Sequence, residues 1–231
     1  MPKDTFTFAR IRYSSHGGGR AWGGGWSTDY RDADLNLSLR LHQLTSFTVD
    51  PEGLVIELTD PALFDYPFIY IVEPGRLDFS DEEVAALQRY LLSGGFLMVD
   101  DFWGDFEWEN FEHEIKRVFP GRSINDLPET HPIFNAVLKL PPHPQIPNIR
   151  QGWQSQFDGV TWEEEKEPGA RTPHYRGIFD DKGRPMVIIC HNTDLGDGWE
   201  QEGANEYYFR EFSEKIAYPL VINILFYSMT H

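Results

Sequence analysis

The stretch from Gly94 to Asp105, Gly-Gly-Phe-Leu-Met-Val-Asp-Asp-Phe-Trp-Gly-Asp, constrains the fold more than any other. Phe96 to Val99 are four apolar residues in a row, bounded by a glycine pair and an aspartate pair. That pattern predicts a strand buried on both faces. Helical signals precede and follow it, so the strand belongs to a β-α-β-α run. In an open α/β sheet the ligand crevice lies beyond the carboxyl ends of the strands, and Asp100 and Asp101 fall there.

Composition narrows what such a sheet can serve. The 231 residues fit one α/β domain over 1–231, with 17 Phe and seven Trp to fill its core. A formal charge of −17 excludes nucleic acid, whose phosphates select clustered Lys and Arg. The lone Cys190 excludes an intramolecular disulfide and fits a reducing compartment. The most apolar run, Ala217 to Met229, holds Pro219 and Asn223 and falls short of the about 20 residues that a membrane span needs. It reads as a buried helix, and no membrane span is expected. The first residues carry no apolar signal region, so the default compartment is the cytoplasm, or the cell envelope if a signal has been removed.

Phe6, Phe8, Ile11 and Tyr13 mark a first strand, followed by two glycine triplets that carry Arg20, Trp22 and Trp26. That loop matches neither GxGxxG nor the P-loop pattern, so nucleotide binding is unsupported. Two tryptophans on a glycine-rich loop are costly to leave in water and are expected to fold over something. Ala33 to Leu44 alternates like a strand but also places Leu37, Leu41 and Leu44 on one helical face. Its length and the capping candidates Thr28, Asp29 and Asp32 predict a helix. Leu54–Leu58 and Phe68–Val72 read as strands, and Ser80 with Glu83 forms a capping box before the next helix. Trp108, Phe111, Ile115 and Val118 mark a helix, and Arg122 to Leu127 an edge strand. Residues 139–173 read as an irregular, Pro- and Trp-rich insertion. Tyr175–Phe179 and Pro185–Cys190 then read as a hairpin, and a closing helix starts near Ser213.

Glu73-Pro74-Gly75, the run Leu77 to Val84, and Tyr90 to Gly95 resemble the class I glutamine-amidotransferase-like fold, of the trehalose-utilisation type. His131-Pro132-Ile133 adds to that likeness. Nearly the whole chain resembles the bacterial domain-of-unknown-function family 4159. The segments that carry this are Phe8-Ala9-Arg10, Asp29 to Asp34, Val99 to Gly104, His174 to Phe179, and His191-Asn192 through Gly198. The resemblance implies a three-layer, mostly parallel sheet with helices on both faces, of the amidotransferase-like or flavodoxin-like kind. It implies no activity. Amidotransferases carry a nucleophilic cysteine on the tight turn after the central strand. Here Asp101 or Phe102 stands near its place, so thioester chemistry on glutamine is excluded.

Two groups of residues carry candidate chemistry. Asp100, Asp101, His191, Asp194 and Asp197, with Glu73, His16 and His174, lie at or near predicted carboxyl ends of strands. Carboxylates with imidazoles suit a hard divalent ion or general acid–base work, with Asp100, Asp101, His191 and Asp194 as candidate metal ligands. If they meet without a metal, the carboxylates are expected to raise the His191 pKa. The competing reading makes Asp101 and Asp105 helix caps and Asp194 and Asp197 turn formers. The segment from His191 to Gly198 lacks the DxDxDG spacing of an EF-hand, and Cys190 reads as core. The second group is aromatic: Trp22, Trp26, Trp103, Trp153 and Trp199 are candidate stacking platforms.

Two functions follow. In the preferred reading the chain is a non-enzymatic module that recognises a glycan or protein partner through His16, Arg20, Trp22, Trp26, Glu73, Trp103, His174, Asn192, Asp197 and Trp199. In the alternative it is a hydrolase or lyase on a carbohydrate-like substrate, using Asp101, His191 and Asp194, with a divalent metal as the one cofactor that the residues suggest. Oligomeric state is not legible in the chain.

Overall fold

Alternation of apolar side chains along the strands decides the architecture. The computed structural model describes residues 5–15 and 25–231. Its strands are β1 (Thr5–Phe6), β2 (Ala9–Ile11), β3 (Thr48–Val49), β4 (Leu54–Ile56), β5 (Phe68–Val72), β6 (Phe96–Asp100), β7 (Asn125–Asp126), β8 (His174–Phe179) and β9 (Pro185–His191). Seven of them form one sheet in the order β4-β2-β5-β6-β9-β8-β7, while β1 and β3 pair apart as a short ribbon. Strands β4, β2, β5, β6 and β9 run parallel, and β8 and β7 return antiparallel. The expected first strand is thus split between two sheets. Its pleat nevertheless continues, since Phe6 and Phe8 face one side and Ala9, Ile11 and Tyr13 the other.

Helices cover both faces of the sheet, giving a three-layer α/β fold. On one face Phe68, Tyr70, Met98, Ile188 and Cys190 meet α1 (Asp32–Leu44) and the chain's last helix. On the other, Ile69, Ile71, Leu97, Val99, Val187 and Ile189 meet α2 (Asp81–Leu92) and α3 (Gly104–Val118). Strand β6 is interior: Val99 pairs with Ile71 on one side and Ile189 on the other, and all five strand residues are buried. The capping box of α2 forms as the sequence predicts, with Ser80 Oγ accepting from Glu83 N and Glu83 Oε2 accepting from Ser80 N.

The stretch 139–173 is less irregular than expected. It holds α4 (Ile149–Asp158), which Asn148 caps through its side chain, and it is tied down by Tyr175 Oη donating to Pro144 O and Tyr208 Oη donating to Pro147 O. After β9 come α5 (Leu195–Glu200), α6 (Glu206–Tyr208), a π-helical stretch (Phe209–Ala217) and α7 (Tyr218–Thr230). Among the described residues no helix is long and apolar enough to cross a membrane. The carboxyl ends of β2, β5, β6 and β9 share one edge, and the chemistry collects there.

Candidate functional site

Four residues at this edge hold a left-handed backbone without being glycine: Asp29 (φ 60°), Glu73 (φ 47°), Asp101 (φ 56°) and Asn192 (φ 60°). Such conformations cost about 1–3 kcal/mol each and persist only where surrounding contacts fix them. Those contacts are identifiable. Asn192 is clamped through its whole amide: Oδ1 accepts from Gly104 N at 2.8 Å, and Nδ2 donates to Gly169 O and Thr172 O, each at 2.7 Å. It fastens three loops and offers no group to a ligand. Asp101 N donates to Thr193 O, and Asp101 Oδ1 accepts from Trp103 Nε1 at 3.0 Å. Glu73 Oε2 accepts from Gly25 N at 2.7 Å.

Asp29 is placed by a buried arginine. Arg10, on β2, is wholly buried and pairs through Nε with both oxygens of Asp34, at 3.0 and 3.1 Å. Its Nη1 donates to Trp26 O and Thr28 O, which pins the loop that presents Asp29 to the crevice. Asp29 therefore does not cap α1, whose N-terminus has no side-chain cap.

The remaining carboxylates come from β6 and α5. Asp100 Oδ2 accepts from Leu195 N at 2.9 Å, Gly196 N at 3.1 Å and Tyr70 Oη at 3.1 Å, while its Oδ1 is buried without a partner. Asp194 caps α5 by accepting from Asp197 N at 2.7 Å, and Asp197 Oδ2 accepts from Ile149 N at 2.7 Å. Asp194 thus caps a helix where a glycine-rich turn is the competing expectation, and Asp101 does not cap α3, whose N-cap position is Trp103 with no side-chain cap.

The result is an acidic cluster at the sheet edge, buried at Asp101, Asp194 and Asp197 and half-buried at Asp29 and Glu200. Oxygens of Asp29, Asp101 and Asp194 all lie within 4.8 Å of one another, as do oxygens of Asp29, Asp197 and Glu200. Asp101 is only 7% exposed, and Asp29 Oδ2 is buried with no hydrogen-bond partner. Burial, reinforced by the neighbouring carboxylates, pushes Asp29, Asp101 and Asp194 well above the ordinary carboxylate range. Burial also raises Asp100 to about 7 and Asp197 to about 6. The nearby cations are engaged elsewhere, Arg10 with Asp34 and Lys166 with Glu107 at 2.6 Å.

Residues 7–229 match the family described as a domain of unknown function, DUF4159. The chain belongs to that family. A search of curated proteins finds no match.

In this DUF4159 chain His191 does not join the acidic crevice. It shares the sheet edge with Asp101 but follows Ile189 in the pleat, so it faces α3 and lies against Phe102 (4.8 Å), Trp108 (5.2 Å) and His174 (5.7 Å). Its Nδ1 is 3.2 Å from Arg176 Nη1, and its Nε2 is 3.2 Å from Gly104 O. The rise in its pKa expected if it met the carboxylates does not apply; the pKa falls to about 3, because the ring is buried and the Arg176 guanidinium sits beside it. His174 is lowered for the same two reasons. The Arg176 guanidinium itself stacks 3.9 Å from the Trp108 ring centroid.

The aromatic set disperses. Trp199 is wholly buried beside Phe8 and Tyr70, and Trp103 is buried with its Nε1 on Asp101, so both belong to the interior. Trp153 is exposed on α4 against Phe157. Trp26 is partly buried, with its ring 5.9 Å from Tyr30 and 6.0 Å from the Arg12 guanidinium. His16, Arg20 and Trp22 lie outside the described residues. Asp29 and Glu200 were absent from the sequence-derived ligand set. The signal for Asp29 was the spacing Asp29, Asp32, Asp34 ahead of α1, which reads equally well as capping.

Proposed function

We propose that the acidic crevice binds a hard divalent cation through Asp29, Asp101 and Asp194 and serves a hydrolase or lyase acting on a carbohydrate-like substrate. The observation that carries this reading is the approach of two buried carboxylates, Asp101 and Asp194, and the half-buried Asp29 to within 4.8 Å, with Asp29 Oδ2 itself buried and unpartnered. Opposite oxygens around a calcium ion are separated by about 4.8 Å, twice a bond of about 2.4 Å, and an all-oxygen donor set suits Ca²⁺, Mg²⁺ or Mn²⁺. An uncompensated group of buried carboxylates is unfavourable, and a cation relieves that cost. A bound cation supplies Lewis acidity and an activated water. The scaffold we infer is amidotransferase-like, with Asp101 or Phe102 near the place of the nucleophilic cysteine; the left-handed backbone of Asp101 at the end of the central strand supports this.

Equilibrium dialysis of chelator-treated protein against Ca²⁺, Mg²⁺ and Mn²⁺ tests the reading. At least one bound ion is expected, and Asp101→Asn and Asp194→Asn should each weaken its binding at least tenfold. No bound ion at millimolar concentration would overturn it. A binding-only reading, in which the chain recognises a glycan or protein partner, rests on Trp26 and Tyr30, the latter 44% exposed, whose rings lie 5.9 Å apart in a tilted contact on the segment that carries Asp29. Under that reading Trp26→Ala weakens partner capture by about 1–3 kcal/mol while Asp101→Asn leaves it unchanged.

A further inference from the structure

We propose that the crevice holds two divalent cations, with Asp29 bridging them: one ion among Asp29, Asp101 and Asp194, the second among Asp29, Asp197 and Glu200. This rests on the cation reading above and extends it from one ion to two.

Helix geometry sets the arrangement. Asp194, Asp197 and Glu200 recur every three residues from the N-cap of α5, so their side chains line one face of the helix. Three helical residues advance about 4.5 Å along the axis, close to the about 3.5–4 Å that separates the ions of two-metal sites. Asp194 belongs to the first oxygen triplet, Asp197 and Glu200 to the second, and Asp29 to both. Asp29 is thus the residue through which the triplets meet, and its Oδ2 is a buried acceptor with no donor. Gly196 lets α5 come this close: a Cβ there would lie 2.1 Å from Asp29 Oδ2.

Charge points to the chemical class of ligand. Five carboxylates around two divalent ions leave the centre with one net negative charge, with Glu73 and Asp100 beside it. Arg10 and Lys166 are already paired. A neutral polyol offers hydroxyl oxygens to the ions without adding negative charge to a centre that already carries an excess of it. The two-ion centre therefore suits a neutral, hydroxyl-rich ligand.

Manganese is the probe. Chelator-treated wild-type protein should take up two Mn²⁺ per chain and give the exchange-coupled electron paramagnetic resonance spectrum of a carboxylate-bridged pair. Glu200→Gln should retain one ion with an uncoupled spectrum, and Asp29→Asn should lose the coupling and at least one ion. Circular dichroism and thermal melting of each variant without metal identify those that fold. One ion in the wild type, two uncoupled ions, or unchanged coupling in folded Glu200→Gln or Asp29→Asn would overturn the two-ion centre and leave the single-ion reading intact. No ion in the wild type would overturn both.

Discussion

His191 shows how a single residue's environment separates two readings that its position in the chain leaves together. It stands at the same sheet edge as the acidic crevice, yet pleat parity turns it toward α3, Phe102, Trp108, His174 and Arg176. Burial and the adjacent guanidinium hold its folded-state pKa at about 3. The unfolded ring titrates near 6.5, so its contribution to stability is present above that pH and is lost as pH falls from about 6.5 toward 3. That contribution should decline by about 2 kcal/mol by pH 5, at about 1.36 kcal/mol per pKa unit. Many carboxylates titrate over the same range, so the measurement is a difference: urea unfolding of wild type and His191→Gln at pH 7.5, 6 and 5. The stability gap between them should shrink steadily on acidification. A gap independent of pH would show that the ring protonates in the folded state. Arg10 is the counterpart on the acidic side. Removing it, as in Arg10→Met, leaves Asp34 buried and unpaired, a change that costs about 3–5 kcal/mol in comparable settings, and it releases the loop that carries Asp29.

Among the elements, β6 is the one whose place followed directly from its residues. Four apolar side chains between a glycine pair and an aspartate pair have few alternatives to a strand covered on both faces, and Val99 is wholly buried against both neighbouring strands. Val99→Asp should abolish folding, because an unpaired buried carboxylate opposes a total stability of about 5–15 kcal/mol. Loss of soluble protein or of the cooperative melting transition checks this, and a near-wild-type melt would contradict the packing. The helices α1, α2 and α3 were legible for the same reason, since an apolar stripe acts locally, and α2 alone of the three also shows its predicted side-chain cap. What the sequence could not convey was nonlocal. The split of the first strand depends on which partner each half meets. The π-helical stretch depends on packing against α5, where a Cβ on Gly198 would lie 2.5 Å from Ala217 Cβ. The site divided likewise. That Asp100, Asp101, Asp194 and Asp197 share an edge followed from strand polarity. The face each side chain takes required the β6–β9 register, in which Val99 pairs with Ile189. That register sends Asp100 and His191 to opposite faces, and the membership of Asp29 depends on Arg10, 19 positions earlier.

For the whole molecule the governing quantity is charge. The chain carries a formal −17, and its most concentrated acidity is internal, where solvent screens it least. Without a cation, Asp29, Asp101 and Asp194 each lose stability on ionising, because burial and one another's charge favour the protonated forms. A cation that binds only the folded state should therefore raise the melting temperature. At a concentration 100 times its dissociation constant it adds about 2.7 kcal/mol. At about 2–4 °C per kcal/mol for a chain of this length, the melting temperature should rise by about 5–10 °C. Thermal melts at pH 7.5 with millimolar Ca²⁺ or Mn²⁺, against NaCl at matched ionic strength, separate specific binding from general screening of the surface. Asp194→Asn completes the test. An asparagine oxygen still accepts from Asp197 N, so the cap of α5 survives while one ligand charge is removed. The variant should melt no lower than wild type without metal and should lose most of the cation response. A lower melt without metal would mean that Asp194 serves the fold more than a ligand, and an undiminished cation response would place the ion elsewhere on the acidic surface.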